Sequence, residues 1–210
     1  MKTILHPAYI PNILNFAAIV QNEICWEVCD NFQKQTFRNR AYICTDRGQL
    51  MLNIPIQHVG KDQGRQYYKD VKLENEYKWQ RQHWRAIQTA YRTSPYFEFY
   101  EDDIAPLYTK RYSHLQDYNM KCTEIICNCL QISMPKSTTT TFEPITITNK
   151  DFRLLVDAKR KFDIQQPKYN QVFGERHGFI KNVSVLDLLF NEGPNAISYL
   201  KKIKLNSVYV

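Results

Sequence analysis

Glycine is scarce in this sequence: only six of its 210 residues are glycine. The chain contains no G-x-G-x-x-G, no G-x4-G-K-[S/T] and no G-x-S-x-G segment. These motifs need glycine because the backbone must turn tightly or approach a phosphate closely. Their absence argues against hydride transfer on a dinucleotide fingerprint, P-loop hydrolysis and α/β-hydrolase chemistry. Any anion must instead be bound by side chains and helix ends.

Long apolar runs are also missing. No stretch approaches the roughly 18 consecutive apolar residues that a membrane helix needs. Pro7 and Pro11 interrupt the first apolar segment, and no run of signal-peptide length follows Lys2. We therefore expect a soluble, cytoplasmic protein with no membrane insertion.

Cysteine is present, but not in a metal-binding arrangement. Cys127 and Cys129 are separated by one residue, whereas zinc sites usually have C-x2-C pairs. No H-E-x-x-H segment occurs among the five dispersed histidines. Cys122, Ile126 and Cys129 recur at helical intervals, which is typical of a buried face. We expect reduced thiols in the core and no metal site.

The composition is that of a globular protein with a basic balance. Hydrophobic residues make up 43% of the chain, which is too much for a chain disordered by composition. A chain of 210 residues can form one sizeable core. We expect a single domain over residues 1–210. The net charge of +7 is compatible with a small anionic ligand or a nucleic acid.

The first third of the chain predicts strands around one helix. Residues 2–5 and 24–29 have the pattern of short buried strands, and residues 11–21 have helical spacing, so together they predict a parallel βαβ unit. Residues 36–44 and 48–56 predict an antiparallel hairpin that turns at Gly48. The sheet is therefore expected to be mixed.

The remainder is predicted to be largely helical. Helices are expected at 79–91, 96–108, 113–130, 185–191 and 195–203. Three segments have weaker patterns: a short strand at 69–73, a polar surface loop at 60–66, and an edge strand or loop at 133–148. Residues 133–166 are the least typical part of the chain. The predicted fold class is a single-domain α/β protein with a largely helical C-terminal half.

The strongest candidate for ligand binding is a cluster of basic and amide side chains. It consists of Lys34, Gln35, Arg38, Asn39 and Arg40. On a strand over 36–44, Arg38 and Arg40 would point the same way, because side chains two apart share a face. Arginine donates bidentate hydrogen bonds to phosphate or carboxylate oxygens. The alternative is a solvated strand face, or pairing with acids elsewhere.

Two histidines are candidates for proton transfer. His6 lies where the first strand meets the first helix, and ligands in open α/β sheets bind near such turns. It could act as an acid or base, contact phosphate, or simply cap the strand by hydrogen bonding. His83 lies on an apolar helical stripe with Trp79 and Ile87, where a hydrogen-bonded core role is the main alternative to catalysis.

Several separated motifs together resemble the WbqC family of bacterial proteins. They lie at residues 6–11, 30–40, 52–56, 79–85, 90–92, 95–98 and 178–194. The resemblance covers most of the chain and is weakest at 133–166. Many family members have Gln-Pro where this chain has His6-Pro7.

The family is named from surface-polysaccharide (O-antigen) gene clusters. The resemblance implies a cytoplasmic role near sugar-nucleotide or glycoconjugate synthesis. Together with the cation cluster and its neighbouring aromatic residues, it leads to the hypothesis of a group-transfer enzyme that acts on a nucleotide-linked or amino sugar. The cation cluster would then hold a diphosphate or carboxylate, and His6 or His83 would move a proton. The residues expected to stack on a base or sugar ring are Tyr9, Trp84 and Tyr91. The sequence specifies no cofactor.

Two alternatives come from other classes of protein. Arg81, Arg85 and Arg92, interleaved with aromatic residues, could track the phosphates of a nucleic acid or another polyanion. A non-catalytic interaction protein is the third possibility, because no established catalytic motif is present.

Overall fold

The computed structural model describes residues 1–57 and 64–205. Most of the polar loop predicted at 60–66 lies outside these residues. Within the described chain, no helix has the length and apolar character needed to span a bilayer. The six cysteines are free thiols.

A parallel sheet of four short strands forms the N-terminal part of the core. Strand β1 (Thr3–Leu5) is followed by helix α1 (Ile13–Gln21) and strand β2 (Ile24–Trp26), and β1 pairs with β2 in parallel. The side chain of Asn12 accepts the backbone N–H of Asn15 and so caps α1. The predicted βαβ unit is confirmed.

The edge strands of this sheet come from distant parts of the chain. Strand β5 (Ser137–Thr138) pairs with β2, and strand β6 (Lys150–Asp151) pairs with β1, which produces the order β5-β2-β1-β6. Strand β5 falls inside the segment predicted to be an edge strand or loop. Strand β6 is not predicted, because two residues are too few to show a period.

The hairpin consists of β3 (Arg40–Thr45) and β4 (Gly48–Asn53), which pair antiparallel. Gly48 has a φ of 95°, a conformation that favours glycine, at the turn between them. The hairpin forms a two-stranded sheet of its own, so the expectation of one mixed sheet is wrong. Strand β3 also begins four residues later than expected, which leaves Arg38 before the strand and not on its face.

Helices dominate the rest of the described chain. They are α2 (Trp79–Tyr91), α3 (Phe97–Ile104), α4 (Pro106–Thr109), α5 (Leu115–Cys129), α6 (Gly174–His177), α7 (Val185–Glu192) and α8 (Ala196–Lys202). The helix expected at 96–108 is divided where Pro106 begins a new one. The strand expected at 69–73 is replaced by a 3-10 helix (Tyr68–Asp70) and single bridges at Lys72 and Leu73. The α/β class with a helical C-terminal half is confirmed.

Helix α7 shows how local sequence sets the limits of an element. The Ser184 hydroxyl accepts the backbone N–H of Leu186 at 3.3 Å and caps the start of the helix. Gly193 ends it with a φ of 52°. A Cβ at Gly193 would lie 2.5 Å from the ring of Tyr96, so only glycine allows this close packing.

Candidate functional site

An open cleft of about 630 Å³ lies beside the start of the hairpin. One wall carries Lys34, Gln35, Asn39 and Arg40, which are four of the five residues predicted to bind an anion. A cleft of this size is within the usual range for small-molecule sites. The structure therefore brings most of the predicted cluster to one place.

Backbone pairing at the base of the hairpin holds this wall. Arg40 pairs with Asn53 in the β3–β4 register. The backbone N–H of Ile54 donates to the Asn39 carbonyl at 2.7 Å, and the Asn39 side-chain amide donates to the Ile54 carbonyl at 3.2 Å. The Oδ1 atom of Asn39 is buried and accepts no hydrogen bond from the described residues. It is thus a fixed acceptor that lacks a donor.

The cleft lining also includes an acid that sequence reasoning missed. A bridge between Ile56 and Leu73 places Glu74 on the cleft, and the Glu74 backbone N–H donates to the Pro55 carbonyl at 2.9 Å. The Glu74 Oε1 atom accepts the backbone N–H of Glu76 at 3.0 Å. Only the tertiary bridge reveals this placement, so no local sequence signal could have found it.

Two aromatic side chains also line the cleft. Phe32 is partly buried, and Tyr77 is 68% exposed. A ring with one open face can stack on a base or a sugar. Phe32 lies within the motif at residues 30–40, but it is not among the aromatic residues predicted from the sequence to stack on a ligand.

The charged groups of the cleft are not neutralised by one another. Within residues 1–57 and 64–205, none of Lys34, Arg40 and Glu74 takes part in an ion pair. The Nε atom of Arg40 is also buried with no hydrogen-bond partner in the described chain. Both signs of charge are therefore available to a ligand.

The loop that carries the cation cluster contains a strained residue. Gln35 has a φ of 62°, in the left-handed region that non-glycine residues rarely adopt. Such a conformation costs on the order of 1–3 kcal/mol and is concentrated at functional sites. Its presence beside Lys34 adds to the case for a functional cleft.

Arg38, the fifth member of the predicted cluster, lies elsewhere. Its side chain is completely buried, forms an ion pair with Asp30, and lies with Nη2 2.9 Å from His6 Nε2. The prediction that Arg38 and Arg40 share an exposed face is wrong, because β3 has not yet begun at Arg38. Arg38 and His6 instead belong to a network that we call the buried ionic network.

This network links the cation loop to the core. The Asn119 amide donates to the Arg38 carbonyl at 2.6 Å, and the Arg38 guanidinium lies 5.0 Å from the centre of the Tyr68 ring. The Tyr68 hydroxyl donates to the Pro7 carbonyl at 3.0 Å. These contacts tie the segment before β3 to the turn that follows β1.

The network extends along the carboxyl ends of the parallel strands. His6 follows β1, Glu27 follows β2, and Arg153 follows β6. Arg153 lies 3.5 Å from Glu27 and 2.6 Å from Asp151. This is the edge where open α/β sheets usually bind ligands, but here it is filled by paired side chains.

Burial shifts the protonation of this network. Burial and the charge of Arg38 hold the pKa of His6 well below its usual value, so the ring is neutral. Burial raises the pKa of Asp30 to about 6, against the opposing effect of Arg38. The network is therefore a site where charge is costly and each charged group needs its partner.

His83 is also a neutral, partnered histidine. Its Nδ1 atom lies 2.8 Å from the Tyr9 hydroxyl, and burial lowers its pKa to about 4. The side chain is only 6% exposed. Its catalytic role stays a prediction, since the structure places it in the core beneath the hairpin and not on the cleft.

The three aromatic residues expected to stack on a ligand lie away from the cleft. Tyr9 and Tyr91 are almost fully buried, and the Tyr91 hydroxyl accepts the backbone N–H of Cys44. Trp84 is partly buried and stacks on Tyr108, with ring centres 5.4 Å apart. The aromatic residues that line the cleft are instead Phe32 and Tyr77 among the described residues.

In the described part of the chain, no group of three or more His, Cys, Asp and Glu side chains is arranged to hold a metal ion. Among the described residues that line the cleft are two cations and one acid, a set that suits an anionic organic ligand.

The fold and this site define an α/β protein with an open cleft lined by charged side chains. A sequence profile of the WbqC-like protein family matches residues 6–165 and 158–199, so the chain belongs to that family. The chain is also similar to the uncharacterized protein Rv1507c of Mycobacterium tuberculosis, with 26% identity covering 94% of this chain and 96% of that protein. No solved structure matches it significantly. The family resemblance drawn from the motifs is confirmed.

Proposed function

We propose that this protein is a group-transfer enzyme that binds a nucleotide-linked or amino sugar in the cleft. One observation carries the proposal: Lys34 and Arg40, with no acidic partner among the described residues, line one cleft together with Gln35 and Asn39. The family's association with surface-polysaccharide genes points to the same class of substrate.

The cleft side chains match the chemistry of such a substrate. A diphosphate or carboxylate would be held by Lys34 and Arg40 through charge-assisted hydrogen bonds. Amide groups donate and accept, as sugar hydroxyls require. Tyr77 offers an exposed ring on which a base or sugar face can stack.

Proton transfer is assigned less directly. His6 and His83 are buried, with their ring nitrogens beside Arg38 and Tyr9. Neither lines the cleft, so each could act on a substrate only through an intervening group. The residues that line the cleft are therefore better placed than either histidine to contact the reacting atoms of a substrate.

A polyanion-binding protein is the competing function. Arg81 and Arg85 on α2 and Arg92 at its C-terminal end are exposed and could contact phosphates along a nucleic acid. The cleft favours the sugar ligand, because a local pocket explains why Lys34 and Arg40 lie together beside Asn39. Salt dependence separates the two functions.

Isothermal titration calorimetry with a panel of sugar nucleotides tests the proposal. We expect saturable binding of at least one of them, weakened only a few-fold by salt, because a pocket makes few phosphate contacts. A binder with 6–10 phosphate contacts would lose roughly 10³–10⁵ in affinity between 50 mM and 200 mM salt. No heat with any sugar nucleotide would contradict the proposal. Binding of RNA or DNA whose affinity falls steeply as the salt concentration rises would support the competing function.

A further inference from the structure

We propose that the cleft selects an anionic ligand that also carries a protonated amine, and that Glu74 receives the amine. The inference rests on the proposed function and narrows its substrate to an amine-bearing sugar. Glu74 would then be the residue that determines specificity, while Lys34 and Arg40 hold the anionic group.

The first argument is that the acid and the cations of the cleft lining are not paired with one another. Lys34 and Arg40 come from the loop before β3 and from its first residue, whereas Glu74 comes from the segment after the Ile56–Leu73 bridge. No oxygen of Glu74 lies within ion-pairing distance of either cation. A ligand with charges of both signs can therefore bind Glu74 and the cations without first breaking an internal ion pair.

The second argument is that the acid is held in place. The Glu74 backbone N–H is bound to the Pro55 carbonyl, and Oε1 is bound by the Glu76 backbone N–H. Its other oxygen, Oε2, makes no hydrogen bond with the described residues. Preorganised acceptors bind a donor at a lower entropic cost than mobile ones.

The third argument concerns an unmatched acceptor. The hydrogen bond to the Glu74 carboxylate reaches Oε1, so Oε2 lacks a donor in the described chain. An ammonium supplies three donors and a positive charge, whereas a hydroxyl supplies one donor and no charge. When a bound ligand excludes water, a neutral hydroxyl would leave the Glu74 charge uncompensated.

The test uses two sugar phosphates that differ only at C2: glucosamine 1-phosphate and glucose 1-phosphate. Calorimetric titration of the wild type should show binding of the amine about tenfold tighter, in keeping with a charge-assisted hydrogen bond. The variant Glu74→Gln should bind both with similar affinity. The matched control Glu76→Gln, which changes an exposed acid two residues away, should keep the preference.

The outcomes are distinguishable. Equal affinity of the wild type for both compounds would overturn this inference and leave the proposed function intact. A preference that survives in Glu74→Gln would also overturn it. Failure of both compounds and of every sugar nucleotide to bind would overturn the proposed function and this inference together. Continued binding of glucose 1-phosphate by Glu74→Gln would show that the variant is folded.

Discussion

Arg38 and Arg40 lie two residues apart and belong to different physical environments. Arg38 is completely buried and bound to Asp30, while Arg40 lines the open cleft with no acid beside it among the described residues. A buried charge needs a partner because its removal from water costs free energy. A cation at an open cleft stays solvated by water and can form charge-assisted hydrogen bonds with a ligand. On the proposed function, unpaired charge lies at the ligand-binding surface, and paired charge lies in the structure that supports it.

Hydrogen bonds in and around the buried ionic network hold the segment that leads to Asn39 and Arg40. Asn119 holds the Arg38 carbonyl, and the Phe37 backbone N–H donates to the Val156 carbonyl at 2.7 Å. These contacts fix the chain on both sides of Arg38 just before Asn39 and Arg40 enter the cleft. Binding residues held by buried hydrogen bonds of this kind keep their geometry without the ligand.

The comparison is tested most strongly by removing each arginine in turn. Arg38→Ala leaves Asp30 buried without its cation, so the free energy of unfolding should fall by about 3–5 kcal/mol. Arg40→Ala breaks no ion pair with a described residue and should cost less than about 1 kcal/mol. Urea denaturation of both variants measures the difference.

Similar losses of unfolding free energy in Arg38→Ala and Arg40→Ala would contradict the difference drawn between the two arginines. If Arg38→Ala proves too unstable to purify, Asp30→Asn offers a milder change to the same pair. It keeps the shape of the side chain while removing its charge, and should lie between Arg40→Ala and Arg38→Ala in stability.

The pH dependence of stability provides a second, smaller test. His83 has a pKa of about 4 when folded, against 6.5 for an ordinary histidine. Between these values the unfolded chain binds more protons, so the free energy of unfolding should fall as the pH drops through this window. Its contribution is on the order of 3 kcal/mol. Denaturation curves of the wild type and His83→Gln measure it.

The variant serves as the control, because glutamine cannot titrate but can still hydrogen-bond to Tyr9. His6, whose pKa is also lowered, adds a loss of the same sign in both proteins. Asp30 acts oppositely, since its raised pKa stabilises the folded state as the pH falls through about 6. Equal slopes for the wild type and His83→Gln would contradict a buried, neutral His83.

Periodic segments were predictable because each repeats a simple pattern. Trp79, His83 and Ile87 recur at helical spacing, and all three are buried on α2. The helix predicted at 185–191 corresponds to α7, which Ser184 caps and Gly193 ends. The two-residue strands β5 and β6 were harder, since their pairing depends on β1 and β2 and not on their own sequence.

The site was predictable in part, for a related physical reason. Lys34 and Arg40 form a local cluster of charge, and local clusters are visible in sequence. The partner of Arg38 was not visible, because Asp30 reaches it across a loop without regular spacing. Glu74 was missed because only the Ile56–Leu73 bridge brings it to the cleft.

The central claim is that Arg40 binds the anionic part of the ligand in the cleft. Calorimetric titration of a sugar nucleotide into Arg40→Ala tests it most directly, with Arg92→Ala as the control. Arg92 is an exposed arginine just after α2, and the length of that helix places it roughly 20 Å from Tyr77 at the cleft. We expect Arg40→Ala to weaken binding by about 1–3 kcal/mol, the scale of a lost charged hydrogen bond, and Arg92→Ala to leave it unchanged. Equal affinities for Arg40→Ala and the wild type, or an equal loss in both variants, would contradict the account.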